Sequence, residues 1–544
     1  MHRALKVAEV LQLLCFHIYP HRGRKPSRKE SRALARLART CTTFSEPALD
    51  ALWSFQNTIV HVINCMPAGI FKKDWSLRRP IHQSDWERPL RYMYRVRVLS
   101  WTDELFSPSL RAAYIPVIFE TLRLCLPTPQ LFPNLVILNW NSTMGSSLIP
   151  ISLLLSQKIR SITLGTFRTI SDLSILASIP LRCPLLRRVE LIQAEIRQTD
   201  QSQTISAFVR ELHCIRSLVL DHLDQTAFEH LARCSGLRIL YVGSPQITSA
   251  FSMPARDKPA FAALTSLSLG SAPAQCVLAC IRTLSRAPLA SFEVTITPPP
   301  DTSSTQQIYV ATKKHLPRSL TTIRITSIRI PAQQTFPIEP PAIKIEILRH
   351  LFHFENLASL ELCPPTGIDV DDDAIRSMAK AWPRLEILSL TSRARAHPLR
   401  TTLRSLLSLA QHCPLLEHLE MGVNATDVPN IDFTSRRRVI NYNLVEWDVG
   451  DSRLSSPLLV ARFLSGLFPE LKYISTEMQD KWVFDDGVAD ILRMLWREVE
   501  GALPICRDMR DEERYWMENA CDCRYGEDDE SDVEDPKSDG SVEV

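Results

Sequence analysis

From about residue 135 onward one frame recurs along the chain, apolar-x-x-apolar-x-apolar. It is seen as Leu135-x-x-Leu138-x-Trp140, Ile159-x-x-Ile162-x-Leu164 and Leu186-x-x-Val189-x-Leu191, then again from Ile215, Leu237, Leu264, Leu289, Leu320, Leu357, Leu385, Leu416, Leu444 and Leu471. The frames start 22 to 37 residues apart. The alternation at the end of each frame predicts a short strand with one face buried. Many frames also share a lead-in: RCPLLRRVEL, HCPLLEHLEM, AWPRLEILSL, LFPNLVILNW and LFPELKYIST. Cys or an aromatic residue closes a helix, Pro stops it, and Leu opens the strand. Between frames lie helical patterns. DDDAIRSMAKAW opens with acids that suit a helix N-terminus and places Ile375, Met378 and Ala379 on one face. TTLRSLLSLAQH and SSPLLVARFLSGLF have the same character.

Strand, turn and helix repeated in this way predict an α/β solenoid, a curved parallel sheet with helices outside, each unit burying its aliphatic residues against its neighbours. The spacing falls mostly in the range of about 20–29 residues of leucine-rich repeats, and this part of the chain resembles that family over roughly residues 90–480. The residue inside each closing alternation faces the concave sheet. Down the chain these are Glu190, Val219, Tyr241, Ser268, Glu293, Arg324, Glu361, Ser389, Glu420 and Asp448. They form the expected target-binding face; its acid-leaning second half is an expectation of a basic partner. The stretch 295–355, with TPPPDTSSTQQ, reads as a loop-rich insertion or degenerate repeat.

The first fifty residues do not follow the repeat. MHRALKVAEVLQLLCFHIY sets Leu5, Val10, Leu11, Leu14 and Ile18 near helical spacing, and a basic loop HRGRKPSRKE follows. A second helix runs through Leu34, Leu37, Ala38 and Cys41, broken by Thr42 and Thr43. Ser45-Glu46-Pro47 is a helix-start signal, after which a third helix presents Leu49, Leu52 and Trp53. Three short helices cannot easily bury all these apolar groups among themselves, and clustered exposed apolar residues mark partner sites. A cap on the first repeat is the other role open to the module.

With LARTCTTFSEPALDALW followed by repeats, the chain resembles the F-box proteins with leucine-rich repeats abundant in fungi, with Ala8 where proline is usual in that family. The resemblance implies a substrate receptor: the helical module docks on the adaptor of a cullin–RING (SCF-type) ubiquitin ligase complex, and the repeats hold a protein target for degradation. It implies adaptor-facing candidates at Val10, Leu11, Leu14, Leu34, Leu37, Cys41, Phe44, Leu49 and Trp53. The alternative is a repeat scaffold for protein–protein interaction outside the ubiquitin system. The expected organisation is an F-box-like helical module (1–55), a linker or helical cap (56–95), the solenoid (96–480), a C-terminal capping helix and extension (481–524), and a disordered acidic tail (525–544).

Charge sharpens this only locally. The net charge is +3, so no global field announces a nucleic-acid binder, and none is expected as partner. Residues 527–544 carry nine acids against Lys537, a composition that cannot offset ordering entropy. Only 15 glycines are present, and neither GxxxxGK[ST] nor GxGxxG occurs, which argues against phosphate cradles. HExxH and GxSxG are absent too, so a non-catalytic chain without cofactors is expected. The fourteen cysteines are scattered, and Cys276/Cys280 and Cys521/Cys523 lack the further ligands of a zinc site. His350 and His353, beside Glu346 and Glu355, read as a helix surface rather than a metal site. No apolar run approaches the ~20 residues of a membrane span. A cytoplasmic or nuclear location with reduced thiols is expected.

Overall fold

The structure, a computed structural model, describes residues 7–20, 23–72, 77–102, 108–141, 148–167, 170–194, 199–251, 259–327, 342–364, 367–391, 399–429, 439–476 and 486–519. The acidic tail expected at 525–544 lies outside the described residues, as does Leu5. The chain divides into two compact units, the first Met1–Leu357 with Leu362–Pro365, the second Ala358–Glu361 with Thr366–Val544.

The first unit opens with three helices, α1 (Ala8–Ile18), α2 (Arg28–Leu37) and α3 (Thr42–Trp53). Cys15, Tyr19, Leu34, Ala48 and Ala51 form their shared core, with Ile18, Leu37, Ala38 and Leu52 packed against it. Helix α2 starts on a capping box: Ser27 Oγ accepts from Glu30 N (3.2 Å) and Glu30 Oε2 from Ser27 N (2.6 Å). Arg24 of the basic loop pairs with Glu30 at 2.8 Å. Helix α3 begins a turn before the Ser45-Glu46-Pro47 signal, because Cys41 is extended and turns the chain at Thr42. Pro47 therefore sits inside the helix rather than in its first turn.

Ten parallel strands follow in sequence order: β1 (Phe55–Gln56), β2 (Val98–Thr102), β3 (Ile137–Asn141), β4 (Ser161–Phe167), β5 (Arg188–Ala194), β6 (Ser217–Asp224), β7 (Ile239–Gln246), β8 (Ser266–Ala272), β9 (Ser291–Ile296) and β10 (Thr322–Ser327). The frame's central apolar residues point into the core: Leu138, Ile162, Val189, Leu218, Leu240, Leu267, Phe292 and Ile323 are all buried. Helices such as Ile170–Arg182, Gln225–Arg233 and Ala274–Thr283 make the return crossings. This is an α/β solenoid of leucine-rich-repeat type, as its periodicity predicts.

The stretch read as a loop-rich insertion or degenerate repeat, around 295–355, holds among its described residues the helix Thr302–His315 and strand β10. Asp301 caps helix Thr302–His315 by accepting from Ser304 N at 2.7 Å, and Ile308, Tyr309 and Thr312 are buried along one face. Three prolines before Asp301 end β9, and the Ser/Thr-rich first turn conceals a helix anchored further along.

The second unit repeats the design with strands Ile387–Leu390, His418–Met421, Glu446–Asp448 and Tyr473–Ser475, paired parallel. Helices Asp372–Ala381, Leu403–His412 and Pro457–Leu467 end on Trp382, Cys413 and Phe468, whose backbones are nearly superimposable (φ −127, −118 and −128°; ψ 68, 71 and 79°). Two constraints coincide there: the residue before proline is pushed out of the helical region, and its side chain fills the core. The long helix Asp486–Asn519 lies against the last strand. Its Trp496 and Val499 are buried, Trp496 Nε1 donates to Ser452 O (2.9 Å), and Glu500 accepts from Ile474 N (3.1 Å).

Candidate functional site

Two surfaces offer themselves. The first is the N-terminal helical module. Of the candidates on it, Leu11 and Leu34 are turned inward, 2% and 0% exposed, and Leu37 packs on the same core. Phe44, Leu49 and Trp53 are half-buried on α3, and Val10 is half-buried on α1. Leu14 is exposed, and beside it stand three apolar residues that the spacing did not single out: Val7 (44%), Leu13 (59%) and Phe16 (42%). With Leu11, Cys15 and Ile18 turned inward, helical geometry turns Leu13 and Phe16 elsewhere, but which face is inward is set by where α2 and α3 pack. Cys41 is half-buried at the start of α3, where the Phe44 backbone amide holds its thiol below the ordinary value.

Helix α3 is fixed to the repeats. It ends at Trp53, and the next residue but one begins β1, which pairs in parallel with β2 through Phe55↔Val98 and Gln56↔Leu99. Ser54 O accepts from both Arg97 N and Val98 N at 2.8 Å. Trp53 stacks on Tyr92 with centroids 4.3 Å apart, and Arg95 reaches back to Glu46 and Asp50 of α3. The module is thus continuous with the solenoid on its α3 side, while α1 turns an apolar face to solvent.

The second surface is the open face of the sheet. The concave residues predicted from the frame fall in one register: Glu190, Val219, Tyr241, Ser268, Glu293 and Arg324 are aligned strand by strand from β5 to β10, and Ser100, Asn139 and Thr163 carry the row back to β2. In the second unit Ser389, Glu420, Asp448 and Ser475 form the corresponding row. Glu361 is half-buried in strand Ser359–Cys363. The acids have partners on their own unit. Thr163 Oγ1 donates to Glu190 at 3.1 Å and Ser389 Oγ to Glu420 at 2.5 Å, Arg324 pairs with Glu293 at 3.8 Å, and Gly450 N donates to Asp448 at 2.8 Å. Tyr241 is 39% exposed.

Beyond this row two adjacent glycines, Gly243 of β7 and Gly270 of β8, bring their backbones close together. A Cβ on Gly270 would lie 2.3 Å from Gly243 O, so no side chain fits there without moving the backbone.

Among the described residues, no group of three His, Cys, Asp or Glu is placed to hold a metal ion, and no helix is long and apolar enough to cross a membrane. His353 lies on the short 3-10 turn Arg349–His353, where its Nε2 accepts from Arg318 Nε at 3.3 Å.

No family model matches the chain, and no curated relative matches it. Similar solved structures include the crystal structure of the Rad7 and Elc1 complex in yeast, at 12% identity over 62% of this chain and 80% of that one, with a TM-score of 0.32. The Toll–Spatzle complex of Drosophila is similar at 13% identity over 72% of this chain and 57% of that one, with a TM-score of 0.26. Scores of this size carry no argument about what the chain binds.

Proposed function

We propose that this chain is a non-catalytic substrate receptor of a cullin–RING ubiquitin ligase, with the α1 side of the helical module docking on the ligase adaptor and the repeats holding a protein target. The observation that supports it is the division of labour on α1. Cys15 joins the module's core and Leu11 is buried, yet Leu13, Leu14 and Phe16 face solvent on a helix of 11 residues, with Val7 exposed at its N-cap. An apolar face of that density on a module whose core is already filled calls for a partner. The reading entails a cytoplasmic or nuclear protein and target contacts on the aligned concave row.

The direct test is co-expression pull-down with the adaptor, comparing wild type with Leu13→Asp and Leu14→Asp, each checked by thermal melt. Binding that disappears in a variant with an unchanged melt supports the docking role; a folded wild type that brings down no adaptor refutes it. A second reading has its own support. The fusion of α3 to β1 and the Trp53–Tyr92 stack are what a cap on a repeat scaffold would show. Under that reading α1 substitutions leave every interaction unchanged.

A further inference from the structure

At the amino-terminal edge of the first unit's sheet, one register position is held by arginine strand after strand. The backbone links these residues directly. Arg187 N donates to Arg160 O (2.8 Å), Arg216 N to Arg187 O (2.7 Å), and Arg238 N to Arg216 O (2.8 Å). Two strands earlier Arg97 occupies the same place, its carbonyl accepting from Val136 N (2.7 Å), which precedes β3 as Arg160 precedes β4. The side chains of all five are exposed, and among the described residues no carboxylate lies within ion-pair distance of any of them. The file ends at Thr265, whose N–H bonds to Arg238 O (2.9 Å) and which starts an uncharged continuation through Ala290 and Thr321.

Like charges at facing positions on adjacent strands repel and destabilise a sheet. Strands sit about 4.8 Å apart, so Arg160 to Arg238 places four cations within roughly 14 Å, and the file back to Arg97 extends it to roughly 24 Å. The cations that close neighbouring helices are differently engaged: Arg182 donates to Ser152 O at 2.9 Å, and Arg233 lies over the Phe251 ring at 4.7 Å. Nothing comparable occupies the file.

We propose that this arginine file is the docking edge for an extended, acidic, partly apolar segment of a target protein. Charge complementarity supplies the first half of that chemistry. The second comes from the aliphatic groups on either side: Leu185, two residues before Arg187, and Ile239, directly after Arg238, are 48% and 40% exposed. A strand-like segment advances about 3.3 Å per residue, so about seven residues would run the length of the file, with alternate carboxylates toward the guanidinium groups. A single-stranded nucleic acid would require a succession of aromatic platforms along the track, whereas Leu185 and Ile239 are aliphatic and the nearest exposed tyrosines, Tyr94 and Tyr241, each lie three residues from an arginine of the file. Each exposed ion pair is weak alone, so binding depends on several acting together and weakens with salt. The proposal rests on the repeats being the target-holding part of the receptor, and it does not involve the adaptor.

The test uses the full chain without adaptor. Fluorescence anisotropy would be measured with a labelled peptide of alternating Glu and Leu, its Gln-for-Glu counterpart, and an oligothymidine of similar length. Wild type would be compared with the double variant Arg187→Ala/Arg216→Ala, its fold checked by melting; the single Arg216→Gln serves if the double variant is unstable. The expected result is Glu-peptide binding about ten-fold tighter than that of the Gln peptide, lost by about ten-fold in the variant and reduced by added salt. Equal binding of the two peptides, indifference to the substitutions, or tighter binding of the oligonucleotide would overturn the proposal. None of these outcomes bears on whether α1 docks an adaptor, so the two ideas fail separately.

Discussion

Trp53, the last residue of α3, stacks on Tyr92 at 4.3 Å with an interplanar angle of 27°, joining the helical module to the segment that leads into β2. The tryptophan that the family resemblance offers as an interface anchor is therefore already in use inside the chain. Trp53→Ala is expected to lower stability by about 2 kcal/mol through lost burial and stacking. A double-mutant cycle with Tyr92→Ala, read by urea unfolding, should show a coupling of about 1 kcal/mol. Additive effects would mean that the stack contributes nothing of its own.

The cysteines separate into two populations. Burial pushes the Cys183 and Cys413 thiols up to about 12, whereas the Phe44 amide at the start of α3 lowers that of Cys41. Only the thiolate reacts with alkylating reagents. In a timed iodoacetamide reaction at pH 8 followed by peptide mapping, Cys41 should be modified early, and Cys183 and Cys413 only after denaturant is added. Early labelling of Cys413 in folded protein would contradict its full burial against the carbonyls of Ala379 and Trp382.

Gly270 tests the strand spacing. With a Cβ 2.3 Å from Gly243 O, Gly270→Ala has to displace backbone and is expected to cost about 1–3 kcal/mol. Gly23→Ala, with open space around its Cβ, should change the melt little. Comparable melts for the two variants would mean that the close approach is absent in solution.

How far the sequence led is clearest along the concave row. Strand alternation fixes which side each residue takes, so Glu190, Val219, Tyr241, Ser268, Glu293 and Arg324 could be named from spacing, and they align strand by strand. The arginine file was equally visible, because the residue after the frame's first apolar position is Arg160, Arg187, Arg216 and Arg238 in four successive frames. It lies off the apolar positions that carry the repeat. Helix Thr302–His315 was hidden for a different reason: three prolines and a run of Ser and Thr dominate local composition, while the residues that hold the helix, Ile308, Tyr309 and Thr312, lie beyond them. On α1, the partition of Leu11 from Leu13 depends on where α2 and α3 pack, which no spacing within α1 alone determines.

An acid-sensitive link lies between the helical module and β2. Arg79 holds Asp85 through two bonds of 2.8 Å, and the His82 amide adds a third, also of 2.8 Å. The guanidinium bonds first, then that amide, hold the Asp85 carboxyl down to about 2. Because the folded value lies below the ordinary one of 3.8, the stabilisation is complete above about pH 4 and is lost as pH falls toward 2. Urea midpoints measured across that range should fall less steeply for Asp85→Asn than for wild type. Parallel slopes would show that the carboxylate's bonds do not contribute to the acid dependence.

The contact between Glu500 and the amide of Ile474 closes the last edge of the sheet against pairing. Tyr473–Ser475 ends its ladder, and a strand with nothing beside it is a template on which a further strand, from another molecule, can pair. The carboxylate takes the outward amide donor, and the helix that carries it lays Trp496 and Val499 against the adjoining core. A chain shortened before Asp486 would keep its repeats and lose its stop, and the growth it then invites is open-ended strand addition between copies.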